Sequence, residues 1–204
     1  MSPPSTSPPS LVAQGLQVRF PTGFVAGPLD LDLGPGIAWL QGDNGTGKTT
    51  LLRALCGELR PTAGEVRICG ADPHRDPLTR RHVGFLPTTL DTPEYLRVDE
   101  AWQTVAALRR APDWDGHALR DALDLPGRLR VGHASAGQRR KIELLCALAG
   151  EPPVLLLDEP FAHVDAATIA WLVAALEGWR GERVVLLTSH EPHLPVAADR
   201  VLRL

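Results

Sequence analysis

The sequence predicts an α/β fold with a parallel core sheet, an antiparallel β region and an inserted helical subdomain, and three short apolar runs carry that reading. Ile37 to Leu40, Val154 to Leu157 and Val184 to Leu187 are apolar without alternation, the pattern of strands covered on both faces of a parallel sheet. Each run ends in polar residues: Gln41; Asp158 and Glu159; Thr188, Ser189 and His190. If the three strands are parallel neighbours, those polar tips meet at one edge of the sheet.

Taken in chain order, Met1 to Ser10 reads MSPPSTSPPS, without the basic start or apolar core of a signal peptide, and is expected to be a disordered leader. Leu11 to Phe20 and Leu29 to Leu33 predict antiparallel strands about a turn at Pro21 to Gly23, and Glu65 to Ile68 a further short strand. Parallel strands need crossovers, and Lys48 to Gly57 and Asp165 to Gly178 are the helical segments placed to supply them. Val83 to Leu86 reads as another strand. From about 88 to 148 the pattern is helical, in Val98 to Arg109, His117 to Leu123 and Ser135 to Leu148, broken by Pro112, Pro126 and Gly127. This stretch is expected to be a subdomain inserted into a single domain spanning 11–204, a size that 204 residues fit.

Composition narrows the function classes. Twenty-one basic against 24 acidic side chains give a net charge of -3, which offers no general field for a polyanion, so no nucleic acid partner is expected. Cys56, Cys69 and Cys146 are odd in number and far apart, which predicts neither a disulfide framework nor a zinc site. Apolar runs stay well short of the roughly 18 residues of a membrane span.

The run Gly42-Asp43-Asn44-Gly45-Thr46-Gly47-Lys48-Thr49-Thr50 satisfies G-x-x-x-x-G-K-[ST], with an apolar strand before it and the helix-forming LLRAL after it. Its glycines let backbone N–H groups converge on a phosphate, and the following helix N-terminus adds partial positive charge. Lys48 supplies a full charge to terminal phosphates, and the Thr49 hydroxyl is a hard oxygen suited to Mg²⁺. Nucleoside triphosphate binding by a P-loop NTPase follows. At the end of the second strand, Asp158 is placed to hold Mg²⁺ and Glu159 to orient and deprotonate the attacking water. His190, ending the third, is placed to hydrogen-bond the γ-phosphate and hold the glutamate and water.

With these elements, and Ser135-Ala136-Gly137-Gln138 about 20 residues before Asp158, the chain resembles the ATP-binding subunits of ABC transporters over nearly everything after Leu11. The family signature LSGGQ reads here Ala134-Ser135-Ala136-Gly137-Gln138, followed by Arg139, Arg140 and Lys141. In that family it contacts the γ-phosphate of ATP held by the opposite protomer, so the resemblance assigns Ser135, Gly137 and Gln138 to a partner's nucleotide. Phe20 falls where the family stacks an aromatic ring on adenine, with Phe24 as a second candidate. Val164-Asp165 matches the loop that touches the partner protomer, and Thr188-Ser189-His190 looks like the family's histidine switch. Where the family usually has glutamine after G-Y-L-P, this chain has Thr88 after Gly84-Phe85-Leu86-Pro87. The shortness, SAGQRRK, and DEPF followed by TSHEP are most similar to the haem-exporter ATPases of cytochrome c biogenesis.

The resemblance implies an ABC-type ATPase with ATP and Mg²⁺ as ligands, and a head-to-tail dimer sandwiching two ATP, either a homodimer or a heterodimer with a related ATPase. It also implies integral-membrane permease subunits docked near Pro93 to Val98 and Trp102, and a cytoplasmic protein peripheral on the inner face of the membrane. The alternatives are a soluble non-transport ABC ATPase and a regulatory ATP sensor.

Overall fold

The structure, a computed structural model, describes residues 8–89 and 92–204; residues 1–7 of the expected leader lie outside the described residues. The elements are β1 (Leu11–Arg19), β2 (Val25–Leu33), β3 (Gly36–Gln41), α1 (Lys48–Leu55), β4 (Ala63–Ile68), β5 (Val83–Leu86) and α2 (Val98–Leu108). They continue with α3 (His117–Ala122), α4 (Ala136–Leu148), β6 (Val154–Leu157), α5 (Ala166–Trp179), β7 (Val184–Thr188) and β8 (Arg200–Arg203).

Five strands form a parallel sheet in the order β5-β6-β7-β3-β8, and three form an antiparallel sheet in the order β2-β1-β4. Every residue of β6 and β7 is buried, which is why their sequences show no polar face. Side chains of β6 alternate between two cores. Leu155 and Leu157 pack with the helices of the 98–148 stretch and with Leu172 and Leu176 of α5; Val154 and Leu156 pack with α1 and the antiparallel sheet. The parallel sheet is thus the middle of three layers.

β1 shows the half-buried pattern of a strand with one covered face, but its phase changes. Leu11 and Ala13 are buried, then Leu16 and Val18, with a register irregularity between Ala13 and Leu16. Gly15, at φ 58, supplies the bulge that shifts the apolar set by one residue so that it stays on the core side.

The expected strands and helices are present, with differences that have physical reasons. β2 begins at Val25 rather than Leu29, because Val25 and Ala26 pair with Arg19 and Val18 across the tight turn. β8 was not expected: its RVLR sequence is short, polar at both ends and mostly exposed, and pairing with β3 defines it. Trp102, expected in a docking patch, is instead 3% exposed and packs edge-on to Trp114 within the helical stretch, whereas Tyr95 is 72% exposed. The far end of α4 is held by Arg109, the C-cap of α2, which donates to the carbonyls of Cys146 and Ala147 and, across 2.9 Å, to Val83 O in β5.

Candidate nucleotide site

The register of the parallel sheet pairs Leu40 with Thr188 and Leu157 with Leu187, so the polar ends of β3, β6 and β7 converge on one edge. Ligands of open parallel sheets bind at this carboxyl edge. A cavity of about 400 Å³ lies there, between Phe24, residues of the 44–50 turn, Thr88, Asp158, Glu159 and His190.

The turn is built by backbone constraint. Gly47 is the N-cap of α1 at φ 96, and a Cβ on it would stand 2.5 Å from Ala26 Cβ, so both its conformation and its space require glycine. No side chain caps this helix end, and Gly47 to Thr50, its first residues, line the cavity, where free N-terminal amides suit an anion. Lys48, 6% exposed, folds back so that Nζ donates to Gly42 O at 2.7 Å and Asp43 O at 3.0 Å. Thr46 Oγ1 donates to Asp43 O at 2.9 Å, closing the turn, and Asn44, Gly45 and Thr50 line the cavity with Thr49.

Asp158 is almost wholly buried and is held by three threonines. Its Oδ2 accepts from Thr49 Oγ1 at 2.6 Å and Thr88 Oγ1 at 2.7 Å, and its Oδ1 accepts from Thr188 Oγ1 at 2.6 Å. Three charge-assisted bonds offset the desolvation of a buried carboxylate. Glu159, next along, has φ 53, a left-handed backbone uncommon outside glycine. Its N–H donates to Thr188 Oγ1 at 3.0 Å, and its Oε2 accepts from the backbone N–H of His190 at 3.1 Å. Oε1 has no well-aligned donor, but His190 Nε2 stands 3.2 Å from it, a charge partner when the ring is protonated.

Phe24, not Phe20, borders the cavity: a Cβ on Gly47 would lie 3.2 Å from the Phe24 ring, while Phe20 is half-buried against the core behind it, centroids 6.0 Å apart. Ser135, Gly137, Gln138 and Asp165 do not line this cavity. Ser135 and Gln138 form a capping box at the start of α4, with Gln138 N–H donating to Ser135 Oγ at 3.2 Å and Ser135 N–H to Gln138 Oε1 at 3.0 Å. Asp165 caps α5 through Thr168 N–H at 2.8 Å and pairs with Lys141 at 2.6 Å. The Lys141 ammonium, joined by the Thr168 bonds, holds the Asp165 carboxyl well below the usual carboxylate range.

The basic run after the signature is committed within the chain. Arg139 donates to Ala134 O and Gly132 O, and Lys141 pairs with Asp165. Arg140, 8% exposed, donates to the carbonyls of Pro87, Asp158 and Glu159. Sequence reasoning passed over Thr188 as a hydroxyl donor and Arg140 as a buried link. No local pattern announces either, because their partners lie 18 to 53 residues away.

Comparison with known proteins agrees with this geometry. Residues 27–162 match the ABC transporter family. The tylosin resistance ATP-binding protein TlrC of Streptomyces fradiae is 32% identical, over 91% of this chain and 40% of its own length. The cytochrome c biogenesis ATP-binding export protein CcmA of Xanthomonas campestris pv. campestris is 35% identical, over 100% of this chain and 98% of its own. Other relatives are longer still: the chain spans 9% of ced-7 of Caenorhabditis elegans and 33% of YbhF of Escherichia coli. A solved ATP-binding subunit of an ABC transporter superposes with a TM-score of 0.77 at 25% identity, covering 89% of this chain and 79% of that one. A phosphate turn, an acidic strand end and a histidine brought to one sheet edge, in a chain so matched, make it a member of the ABC transporter family.

Proposed function

We propose that this chain is an ATP-binding, ATP-hydrolysing subunit, a single cassette over 11–204, that powers a separate integral-membrane permease. The observation that carries this reading is Glu159, whose carboxylate borders the cavity against His190 and beside the Thr49–Asp158 pair. In this reading the turn amides and Lys48 take the phosphates, and Phe24 supplies the face for adenine with Phe20 behind it. Thr49 and Asp158, hard oxygen donors already in contact, suit Mg²⁺, and the Thr88 hydroxyl beside them adds a third. When bound, the ion offsets phosphate charge. Glu159 takes the proton of the attacking water, and His190 fixes the Glu159 carboxylate.

Ser135, Gly137, Gln138 and Asp165 do not line this chain's own cavity, which supports a head-to-tail dimer in which each signature helix closes the partner's ATP. The full-length likeness to CcmA supports an exporter, in the haem-export branch, peripheral on the cytoplasmic face of its membrane. For the permease, an apolar groove of about 550 Å³ beside Phe85 and Leu96 is rimmed by the exposed Tyr95 and Leu108, the kind of patch that marks a protein interface. Two measurements test the proposal. The purified protein should hydrolyse ATP in a Mg²⁺-dependent manner, and the tagged protein should copurify with a multi-span membrane protein from solubilised membranes. Absence of turnover, or recovery with ribosomal proteins, overturns it.

A further inference from the structure

The left-handed backbone of Glu159 is clamped at both sides of its Cα. Its N–H goes to Thr188 Oγ1 at 3.0 Å, and its carbonyl accepts from Arg140 Nη2 at 2.8 Å and from Ala162 N–H at 3.1 Å. A non-glycine residue stays in such a conformation when its surroundings over-determine it. Here the surroundings come from two sides: Thr188 from the neighbouring strand β7, and Arg140 from α4 at the end of the helical stretch. The same guanidinium also reaches Pro87 O, where the chain leaves β5 to enter that stretch, and Asp158 O. One buried side chain therefore touches the start of the helical stretch, its last helix and the acidic strand end. Its five donors in a fixed fork suit such a junction, where a lysine would present one point charge.

We propose that Arg140 is a positioning residue for Glu159: it holds the Glu159 peptide in its left-handed conformation, aims the carboxylate at His190 and the cavity, and ties that aim to the placement of the helical stretch. Arg140 does not border the cavity, so its effect is on the geometry of Glu159 and not on nucleotide contact. Arg109 separately anchors the far end of α4 to β5, so the helical stretch should stay attached when Arg140 is removed.

The inference rests on the hydrolytic reading for its kinetic consequence, and amide exchange tests it without that reading. In Arg140→Gln, the Glu159 and Ala162 amides should exchange roughly tenfold faster or more, with β1 and β2 unchanged. ATP turnover should fall about 10²-fold with KM for ATP within about twofold, since a small misplacement of a reacting group has that cost. Methylguanidinium added to Arg140→Ala should restore part of the turnover. Wild-type exchange at residues 159–162 together with wild-type turnover overturns the proposal, and so does loss of protection spread evenly over β1 and β2, the mark of a merely structural role. If neither variant folds, Arg140→Lys carries the test, and wild-type exchange and turnover in it overturn the proposal. A wild-type protein that exchanges as expected but does not hydrolyse ATP defeats the functional reading and leaves the clamp standing.

Discussion

Thr88 Oγ1 and Asp158 Oδ2 are 2.7 Å apart, and the same carboxylate oxygen accepts from Thr49 Oγ1 at 2.6 Å. The residue that stands where ABC ATPases usually carry glutamine is thereby built into the acidic strand end. Removing its hydroxyl leaves a buried carboxylate one donor short, worth about 1.5–3 kcal/mol. Thr88→Val should therefore lower the thermal midpoint of the ligand-free protein by roughly 3–10 °C, and Thr88→Ser should preserve it. Equal midpoints for the two variants would remove the bond from the account.

Glu159→Gln keeps the size of the side chain and deletes the base of the proposed hydrolysis. Turnover should drop on the order of 10²–10⁴-fold while ATP still binds. Light scattering with ATP and Mg²⁺ should then show stable dimers, as the proposed sandwich requires, and a variant that stays monomeric at saturating ATP would count against it.

Asp165 and Lys141 link the cap of α5 to the signature helix. Because the folded carboxyl titrates below its unfolded value, the link is complete above about pH 4 and is lost as pH falls through the lowered value. In Lys141→Met, ¹³C NMR of the Asp165 carboxyl should show its midpoint rising toward the ordinary range. Part of the depression should persist, through the Thr168 N–H bond.

Burial pushes the thiols of both Cys56 and Cys146 up to about 12. Native protein at pH 8 should react quickly with a thiol reagent at Cys69 alone, giving one fast equivalent, and at all three after denaturation. Raised folded values also mean that this part of the stability is present below about pH 9 and is lost as pH rises toward 12.

Tyr95 and Leu108 are 72% and 75% exposed at the rim of the apolar groove. Changing both to glutamate should leave folding and ATP binding intact and abolish copurification of the membrane partner; a drop in thermal midpoint instead would assign them to the fold.

Local signals made much of this legible. The 42–50 turn, the strands that end in Asp158 and His190, and the helix starts are each set by contiguous residues, and the apolar strands could be recognised as neighbours because nothing polar interrupts them. What stayed hidden depends on the third dimension. Phe20 and Phe24 are joined by the turn bond from Phe20 N–H to Phe24 O, so either ring fits a sequence argument, and only the packing of Gly47 decides which overhangs the turn. Arg140 reads only as one of three consecutive bases that open the helix after the signature, yet it is buried against carbonyls from two distant segments. Trp102 and Tyr95 look alike as aromatic residues one helix start apart, yet burial separates them.

β8 ends the parallel sheet with four residues, an arginine at each end, and Arg200 reaches over to the Asp32 carbonyl. A sheet whose inner strands β6, β7 and β3 are mostly apolar would otherwise offer a sticky flank to the next molecule, and long flat apolar edges are where proteins aggregate. Short length and paired positive charge make this flank a poor template. The least hydrophobic strand, the one that periodicity overlooked, is thus the one that guards this flank of the sheet.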